Sequence, residues 1–264
     1  MLLAILFGLA IGAAVGMLGG GGSVLAVPVL VYLLGQSVSE ATTSSLIVVT
    51  AGALAGGFSH ARKGRVCWRH AGSFTAAALP GVVAGTFVGE TVSDALLLGT
   101  FALIMLAAAA ATWKKAEEQE EQPDDGSWER GGVCPPLRLP RDLVAGVAIG
   151  FLTGFLGVGG GFLIVPTLAI ALAFTMRTAV GTSLAIITAT SMLGLAVHLL
   201  ADRSIELDIT VAMTAGCVVG AVAGGAVATH LPQRVVGRGF AILVTSVATY
   251  LLISAVFLGG PPGN

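Results

Sequence analysis

GLAIGAAVGMLGGGG, residues 8–22, recurs as GVAIGFLTGFLGVGGG, residues 146–161, and this duplication decides the fold. One offset, the one that takes Gly8 to Gly146, aligns the two stretches. The same offset pairs further residues along the chain: Pro28 with Pro166, Ser45 with Ser183, His60 with His198, and Arg65 with Arg203. Self-similarity of this extent indicates two copies of one structural unit.

The composition excludes an ordinary soluble protein. Hydrophobic residues make up 55% of the chain, charged residues only 10%, and the mean hydropathy is +0.94, whereas soluble domains are about 25% charged. Nearly uncharged stretches such as 178–200 and 240–258 approach the roughly 20 residues that a helix needs to cross hydrocarbon. These continuous apolar runs lack the alternation of barrel strands. The sequence therefore predicts an all-α polytopic protein whose partner is the lipid bilayer of a plasma (inner) membrane.

Several classes of function find no support in the sequence. The net charge of −1 argues against a nucleic-acid partner, because such proteins carry a clustered basic face. No catalytic triad, metal-ligand spacing or phosphate-binding loop is present, so we expect no enzyme activity, metal or cofactor. The three cysteines, Cys67, Cys134 and Cys217, are odd in number and lack motif spacing. We therefore expect neither a disulfide framework nor a zinc site.

The charge distribution divides the chain into domains. Residues 1–113 form transmembrane repeat 1 and residues 142–258 form transmembrane repeat 2. Between them, residues 114–141 carry a dense charge run followed by prolines, which is typical of a solvated linker. We expect this linker in the cytoplasm, and residues 259–264 form a short tail.

In each copy, a first unit that is interrupted by glycines precedes three predicted transmembrane helices. The topology depends on how often that first unit crosses the membrane. If that unit crosses once, the halves are parallel, and Arg177, Arg234 and Arg238 lie away from the other basic residues. If it returns as a V-shaped hairpin, the halves are inverted, and only Arg203 of the thirteen basic residues lies outside. Lys and Arg collect on the cytoplasmic side, so we favour the hairpin and inverted halves. Pro28 is expected to bend the returning arm.

The glycine runs are the strongest candidates for a functional site. Glycine costs about 1 kcal/mol inside a helix relative to alanine, so each run should interrupt its helix. Non-helical backbone at membrane depth persists only where protein buries it or water reaches it, so we expect the runs to meet at a central cavity. Each helix that restarts there points unpaired N–H groups and its positive dipole end at the cavity, which suits an anion. The predicted substrate-binding residues are Gly19, Gly20, Gly21, Gly22, Ser23, Thr43, Ser44, Ser45, Gly159, Gly160, Gly161, Thr182 and Ser183.

Two questions about side chains stay open at this stage. The hydroxyls of Thr42 to Ser45, and of Thr182 and Ser183, either cap the helix or donate to a bound oxyanion, or they bond back to their own helix. His60 and His198 are proton-linked candidates or polar anchors near the ends of their helices. In contrast, Gly8, Gly12 and Gly16 have the small-xxx-small spacing that lets helices pack closely.

The sequence resembles the TauE/SafE family of sulfite and organosulfonate exporters. The resemblance rests on the twin glycine runs, each followed by Val-Pro, and on Ala-Thr-Thr-Ser-Ser (41–45) and Ala-Val-Gly-Thr-Ser (179–183). The first copy departs from the pattern through an extra glycine, Gly20, and through Thr-Thr-Ser in place of Gly-Thr-Ser. The resemblance implies a permease that moves small sulfur-containing anions, such as sulfite or sulfonates, usually outward.

Two alternatives remain beside an anion exporter. A cation or metal permease would need buried carboxylates or histidines that face each other, and only Glu40, Glu90 and Glu206 lie near the ends of predicted helices. The second alternative is a non-transporting membrane subunit, and whether the chain forms a homo-oligomer stays open.

Overall fold

The fold was described from a computed structural model, which covers residues 1–89, 92, 94–118, 134–136, 139–156, 161–200, 206–228 and 231–257. Within these ranges all regular structure is helical. The all-α fold class is therefore confirmed.

The helices follow the same order in both copies. In the first copy, the described helices are α1 Leu2–Leu18, α2 Ser23–Pro28, α3 Val38–Arg62, α4 Trp68–Gly89 and α5 Asp94–Glu118. In the second, they are α6 Leu139–Leu156, α7 Gly161–Pro166, α8 Met176–Leu200, α9 Leu207–Ala228 and α10 Gln233–Phe257. A 3-10 turn, Gly19–Gly22, joins α1 to α2, and π-helical turns follow α2 (Val29–Leu33) and α7 (Thr167–Ala171). Each π turn begins directly after a proline, whose missing N–H and ring disturb the regular ladder of a helix.

The chain reverses direction between α1 and α2. Gly19 has a φ of 75°, in the left-handed region that glycine adopts readily. Beyond it, a Cβ on Gly22 would lie 2.6 Å from the amide nitrogen of Val15 and 2.8 Å from the carbonyl oxygen of Ile11. In a continuous helix, residues seven positions apart are about 10 Å apart along the axis. The chain therefore folds back at the glycine run of the first copy, and Gly22 lies beside the end of α1.

Five helical stretches of the described chain are long and apolar enough to cross a membrane: Leu2–Val31, Glu40–Arg62, Trp68–Val88, Met176–Ala196 and Leu207–Ala228. The turn at Gly19 divides the first of them into the two arms of the hairpin. Helices α5 and α10 carry shorter apolar stretches, Ala102–Lys114 and Val235–Thr249. The chain is therefore a multi-pass membrane protein.

The first helix of each copy packs closely against a helix of the other copy. A Cβ on Gly12 would lie 2.0 Å from the carbonyl oxygen of Cys217, so α1 and α9 touch through their backbones. In the same way, a Cβ on Gly150 would lie 2.2 Å from the carbonyl oxygen of Ala78, which joins α6 to α4. The repeat register takes Gly12 to Gly150 and, with a one-residue slip, Ala78 to Cys217. The two contacts are thus equivalent.

The other small residues of α1 behave alike. A Cβ on Gly8 would lie 2.2 Å from the carbonyl oxygen of Met213, and one on Gly16 would lie 2.1 Å from that of Ala221. Such close approach of two backbones requires glycine. The packing role predicted for Gly8, Gly12 and Gly16 is confirmed.

Helices α3 and α8 cross the centre of the molecule in opposite directions. A Cβ on Gly56 would lie 3.4 Å from Leu184, and one on Gly194 would lie 3.5 Å from Leu46. Late positions of α3 therefore meet early positions of α8, and early positions of α3 meet late positions of α8. These two contacts also exchange under the repeat register, since Leu46 corresponds to Leu184 and Gly56 to Gly194.

The bundle has two chemically different ends. The basic end is the one where α3 ends and α8 begins, and it carries Arg62, Arg65 and Arg177. At the opposite end, α3 and α9 begin, and the Gln36 amide donates to the Glu206 carboxylate at 3.3 Å.

A capping box starts α3 at the opposite end. The Ser37 hydroxyl accepts a hydrogen bond from the Glu40 N–H, and the Glu40 carboxylate accepts one from the Ser37 N–H. Such a box satisfies amide donors that the first turn of a helix leaves unpaired. It therefore fixes where Thr43, Ser44 and Ser45 enter the bundle.

Helices flank the predicted linker on both sides. Helix α5 continues to Glu118 and α6 begins at Leu139, so both helices extend into the predicted linker 114–141. The prediction that the cysteines form no disulfide is wrong, because Cys67 and Cys134 are bonded with their Cα atoms 5.8 Å apart. The close packing of α4 on α6 brings the loop before α4 next to the segment before α6, which no sequence spacing reveals.

A buried pair of side chains lies beside this disulfide. His70 Nδ1 is 3.0 Å from Asp142 Oδ1, and His70 Nε2 is 3.0 Å from the carbonyl oxygen of Pro135. The His70 ring also packs edge-on against Phe174 at 5.0 Å. Both His70 and Asp142 are buried, so the pair joins the starts of α4 and α6 at the basic end. Sequence reasoning missed this pair, because the two residues lie far apart in the chain.

Candidate functional site

The two glycine breaks come together at the centre of the molecule. A Cβ on Gly20 would lie only 1.7 Å from the carbonyl oxygen of Gly161, so the backbones of the two copies are in direct contact. A Cβ on Gly161 would lie 2.9 Å from Ser23 Oγ, and one on Gly19 would lie 2.6 Å from Ser183 Oγ. The structure thus brings together the predicted residues that it describes from both runs. Gly159 and Gly160 lie outside the described residues.

A cavity of about 310 Å³ opens beside this contact. Its floor includes Ser23 and Gly161, and it extends between α3, α4, α6 and α8 toward the opposite end of the bundle. The volume suits a small ligand. Among the described residues, the lining carries hydroxyls from both copies and no charged side chain: Ser23, Thr42, Ser45, Thr86, Thr153, Thr190 and Ser191 stand among apolar residues and glycines.

Several of these hydroxyls donate to backbone carbonyls of their own helix or turn. Ser23 donates to Gly20 at 2.6 Å, Ser45 to Thr42 at 2.8 Å, and Thr153 to Ile149 at 2.7 Å. A hydroxyl rotates about one bond, so it can exchange a carbonyl for a ligand oxygen. In the structure, backbone carbonyls satisfy these three donors.

The remaining predicted hydroxyls lie outside the cavity lining. Thr43, Ser44, Thr182 and Ser183 are fully or almost fully buried. Ser44 Oγ accepts from Thr210 at 2.8 Å, Thr182 Oγ1 accepts from the Cys67 N–H at 3.1 Å, and Ser183 donates to Val180 at 2.8 Å. Ser44 and Thr182 thus link α3 and α8 to other parts of the bundle, whereas Ser183 bonds back to its own helix.

The glycines of the first run lie behind the cavity floor. Gly19, Gly20, Gly21 and Gly22 are all buried, and a Cβ on Gly21 would lie 3.1 Å from the Phe240 ring. Of the predicted residues, the cavity lining therefore includes Ser23, Ser45 and Gly161.

Sequence reasoning missed most of the cavity hydroxyls. Thr86, Thr153, Thr190 and Ser191 lie within stretches that count as apolar spans. Single hydroxyls in membrane helices usually bond back to their own helix, so the residue types alone give no signal. Only the packing of α4 on α6 and of α3 on α8 turns these four toward one space.

The equivalent region on the basic side is closed. The repeat register takes the lining residues Leu46 and Ala78 to Leu184 and Cys217, both fully buried. It takes Thr190 to Gly52, where a Cβ would lie 2.6 Å from Cys217 Sγ. Among the described residues, the cavity therefore lies on one side of the glycine contact, and the equivalent positions on the other side are buried.

The repeat register aligns His60 with His198, and the structure describes the side chain of His60 but not that of His198. His60 is buried, its Nε2 lies 3.4 Å from the carbonyl oxygen of Gly16, and its Nδ1 has no partner among the described residues. A Cβ on Gly181 would lie 3.2 Å from His60 Cβ, which places His60 at the closed, basic side. The backbone of His198 is helical, and its side chain lies outside the described part.

Comparison with known proteins fits this architecture. The family model for the sulfite exporter TauE/SafE family matches residues 4–251. The chain belongs to the TauE/SafE family. A probable membrane transporter protein of Xylella fastidiosa is 32% identical over 249 residues, covering 92% of this chain and 91% of that protein. No solved structure matches the chain.

Two more distant relatives carry similar names. The probable membrane transporter protein YunE of Bacillus subtilis is 25% identical over 96% of this chain and 97% of its own length. A probable membrane transporter protein of Methanocaldococcus jannaschii is 27% identical over 76% of this chain and 73% of its own length. Membership of the TauE/SafE family and these relatives indicate a membrane transporter.

Proposed function

We propose that this chain is a secondary transporter that exports small sulfur-containing anions, such as sulfite and organosulfonates, across the plasma membrane. The observation that carries the proposal is the uncharged, hydroxyl-lined cavity beside the meeting point of the two glycine breaks. Sulfite and sulfonate groups are compact oxyanions that hydroxyl and amide donors can bind. Neutral donors hold such an anion less tightly than a buried cation would, which favours release.

The two copies are proposed to be inverted with respect to each other. The antiparallel course of α3 and α8 supports this arrangement, because the two helices are equivalent in the repeat. The exchange of Leu46–Gly194 with Leu184–Gly56 under the repeat register also supports it. Inverted repeats around a midplane site are a recurring transporter design.

Transport is proposed to alternate between two states in which the copies exchange roles. One side of the glycine contact holds the cavity, while packed side chains close the equivalent side. Because the copies share one architecture, exchanging their conformations would close the present cavity and open the basic side. The glycine contact would then serve as the fixed centre of the movement.

We propose that the basic end faces the cytoplasm and that the anion leaves at the opposite end. Arg62, Arg65 and Arg177 lie at the basic end, as the positive-inside rule requires. Glu206 and Asp208 are exposed at the opposite end, where they disfavour recapture of an anion. A membrane potential that is negative inside supplies about 2.3 kcal/mol per 100 mV for each negative charge that moves outward.

Flux in proteoliposomes tests the proposed function. Vesicles that contain the purified protein and sulfite should release sulfite faster than protein-free vesicles, and a potential that is negative inside should accelerate the release. Taurine-type sulfonates and sulfoacetate extend the panel, and acetate serves as the non-sulfur control. If no sulfur anion in the panel moves faster than in protein-free vesicles, the proposal is wrong.

Replacing Thr153 with valine tests the cavity. The side chains are nearly isosteric, so the main loss is one hydroxyl donor, and a hydrogen bond to a charged group contributes about 1.5–3 kcal/mol. The KM for sulfite should rise at least about tenfold. Thr249→Val is the matched control, because Thr249 makes the same back-bond but is exposed on α10. An equal KM for both variants would place the anion elsewhere.

The oxidation state of Cys67 and Cys134 in cells tests the orientation. Cytosolic thiols are kept reduced, so a basic end in the cytoplasm predicts two free thiols that pair once the protein is purified in air. Alkylation of growing cells before lysis, followed by mass spectrometry, shows whether Cys67 and Cys134 are free thiols or a disulfide. Cys134→Ser is the control. A disulfide already present in cells would place this end outside.

A further inference from the structure

Two arginines at the basic end lie against one face of α8. The carbonyl oxygen of Arg65 occupies the space beside Gly181, where a Cβ would lie 2.4 Å from it. Arg177 lies four residues before Gly181, and residues four apart share one face of a helix. The loop after α3 therefore brings Arg65 to the side of α8 that carries Arg177.

Both guanidinium groups contain a buried nitrogen without a partner in the described part of the chain. Arg65 Nη1 and Arg177 Nε make no hydrogen bond to any described residue. Arg177 Nη2 donates to the carbonyl oxygen of Leu231 at 3.3 Å, which leaves its Nε free for another acceptor. Within the described ranges, the buried His70–Asp142 pair includes neither arginine, and no described carboxylate pairs with Arg65 or Arg177.

The electrostatics of this pair favour an anion. Burial, and next the nearby Arg177, lower the pKa of the Arg65 guanidinium from its ordinary value. The charge of Arg177 repels that of Arg65, and no carboxylate of the described residues pairs with either side chain, so an anion bound between the two would remove that repulsion. The guanidinium fork matches the oxygens of sulfite, sulfonate and phosphate groups. Both side chains are only partly buried, so an ion can reach them from the basic end.

We propose that Arg65 and Arg177 form a second anion site, which binds a compact oxyanion at the basic mouth of the closed half. Arg65 lies beside Gly181 of α8, and Ser183 of the same helix lies beside Gly19, so the site is located between the basic end and the glycine contact. If the proposed function holds, its ligand is the transported sulfur anion before entry. The phosphate of an anionic lipid headgroup is also a compact oxyanion, and it is the other candidate ligand.

Binding measurements on the purified protein in detergent test the site independently of transport. The unfolding temperature of wild type, Arg65→Gln and Arg177→Gln is measured at increasing concentrations of sulfite or inorganic phosphate. We expect the concentration that gives half of the stabilisation to rise at least about tenfold in each variant. Arg69→Gln is the matched control, because Arg69 is exposed at the same end and its loss changes net charge equally.

Lipid composition separates the two sources. In nanodiscs of phosphatidylcholine, stabilisation by sulfite that depends on both arginines identifies a free anion as the ligand. A second set of nanodiscs contains about 30% phosphatidylglycerol, a lipid whose headgroup adds negative surface charge. The ligand is a lipid phosphate if this lipid stabilises wild type but not the double variant, and if sulfite then has no further effect. Arg177→Lys keeps the charge and loses the fork, and it serves where a glutamine variant fails to fold.

Two outcomes overturn the site. One is equal affinity of wild type and both glutamine variants, and the other is a loss in Arg69→Gln as large as in Arg177→Gln, which would reflect net charge alone. Failure of the proposed function looks different. In that case no sulfur anion crosses proteoliposomes, while stabilisation by phosphate still depends on Arg65 and Arg177.

Discussion

Replacing Gly20 with alanine is expected to abolish sulfite flux in proteoliposomes. The new Cβ would lie 1.7 Å from the carbonyl oxygen of Gly161, a distance at which the two backbones must separate. Overpacking a well-packed core costs about 1–3 kcal/mol, and here the clash is with a backbone atom that no rotamer change can move. Since this contact joins the two copies behind the cavity floor, we expect both lower thermal stability and loss of transport.

Gly72→Ala is the matched control for this substitution. Gly72 lies within α4, and a Cβ there would meet no atom within 4 Å. Alanine stabilises a helix by about 1 kcal/mol relative to glycine, so this variant should keep wild-type flux and unfold at the same or a slightly higher temperature. Wild-type flux in Gly20→Ala would show that the two glycine breaks do not need to touch.

Replacing Asp142 with alanine is expected to lower the free energy of unfolding by about 1–3 kcal/mol, because it leaves the buried His70 ring without the carboxylate to which it is hydrogen-bonded. For a chain of this size, that loss corresponds to a fall of up to about 10 °C in Tm. Asp142 Oδ2 has no hydrogen-bond partner among the described residues, so His70 is the contact through which this carboxylate is held. Thermal unfolding in detergent measures the change.

Two further variants complete this prediction. Asp208→Ala removes an exposed carboxylate from the first turn of α9 and should cost at most about 1 kcal/mol. In a double-mutant cycle, adding His70→Ala to Asp142→Ala should cost less than His70→Ala alone, because the pair is already broken. A Tm for Asp142→Ala equal to that of Asp208→Ala would mean that the buried pair contributes little.

Much of the fold could be predicted from the hydropathy of the chain and from the positions of its glycine runs. The three transmembrane helices predicted after the glycine-broken unit of the first copy correspond to α3 Val38–Arg62, α4 Trp68–Gly89 and α5 Asp94–Glu118. The interruption at Gly19–Gly22 was also predicted, because a run of glycines is too costly to continue as a regular helix in lipid. Helix ends were less accurate in the charged region, where α5 continues to Glu118 through residues that favour a helix outside the membrane as well.

The candidate site was predicted only in part. Ser23, Ser45 and Gly161 line the cavity, whereas Thr182 and Ser44 make contacts between helices. A hydroxyl in a membrane helix looks the same in sequence whether it faces a cavity or a neighbouring helix. Its role depends on the rotation of that helix about its axis, which is set by contacts with other helices.

Local composition and backbone preference were enough to predict that the protein lies in a lipid bilayer, that it is helical and duplicated, and that its first helix breaks at Gly19 to Gly22. Long-range packing was needed to establish that Gly20 meets Gly161, that Cys67 meets Cys134, and that the cavity lies on one side of the glycine contact. These features join residues far apart in the chain. Two copies with one pattern can pack as open or closed halves, and the balance between the two packings is a property of the whole bundle.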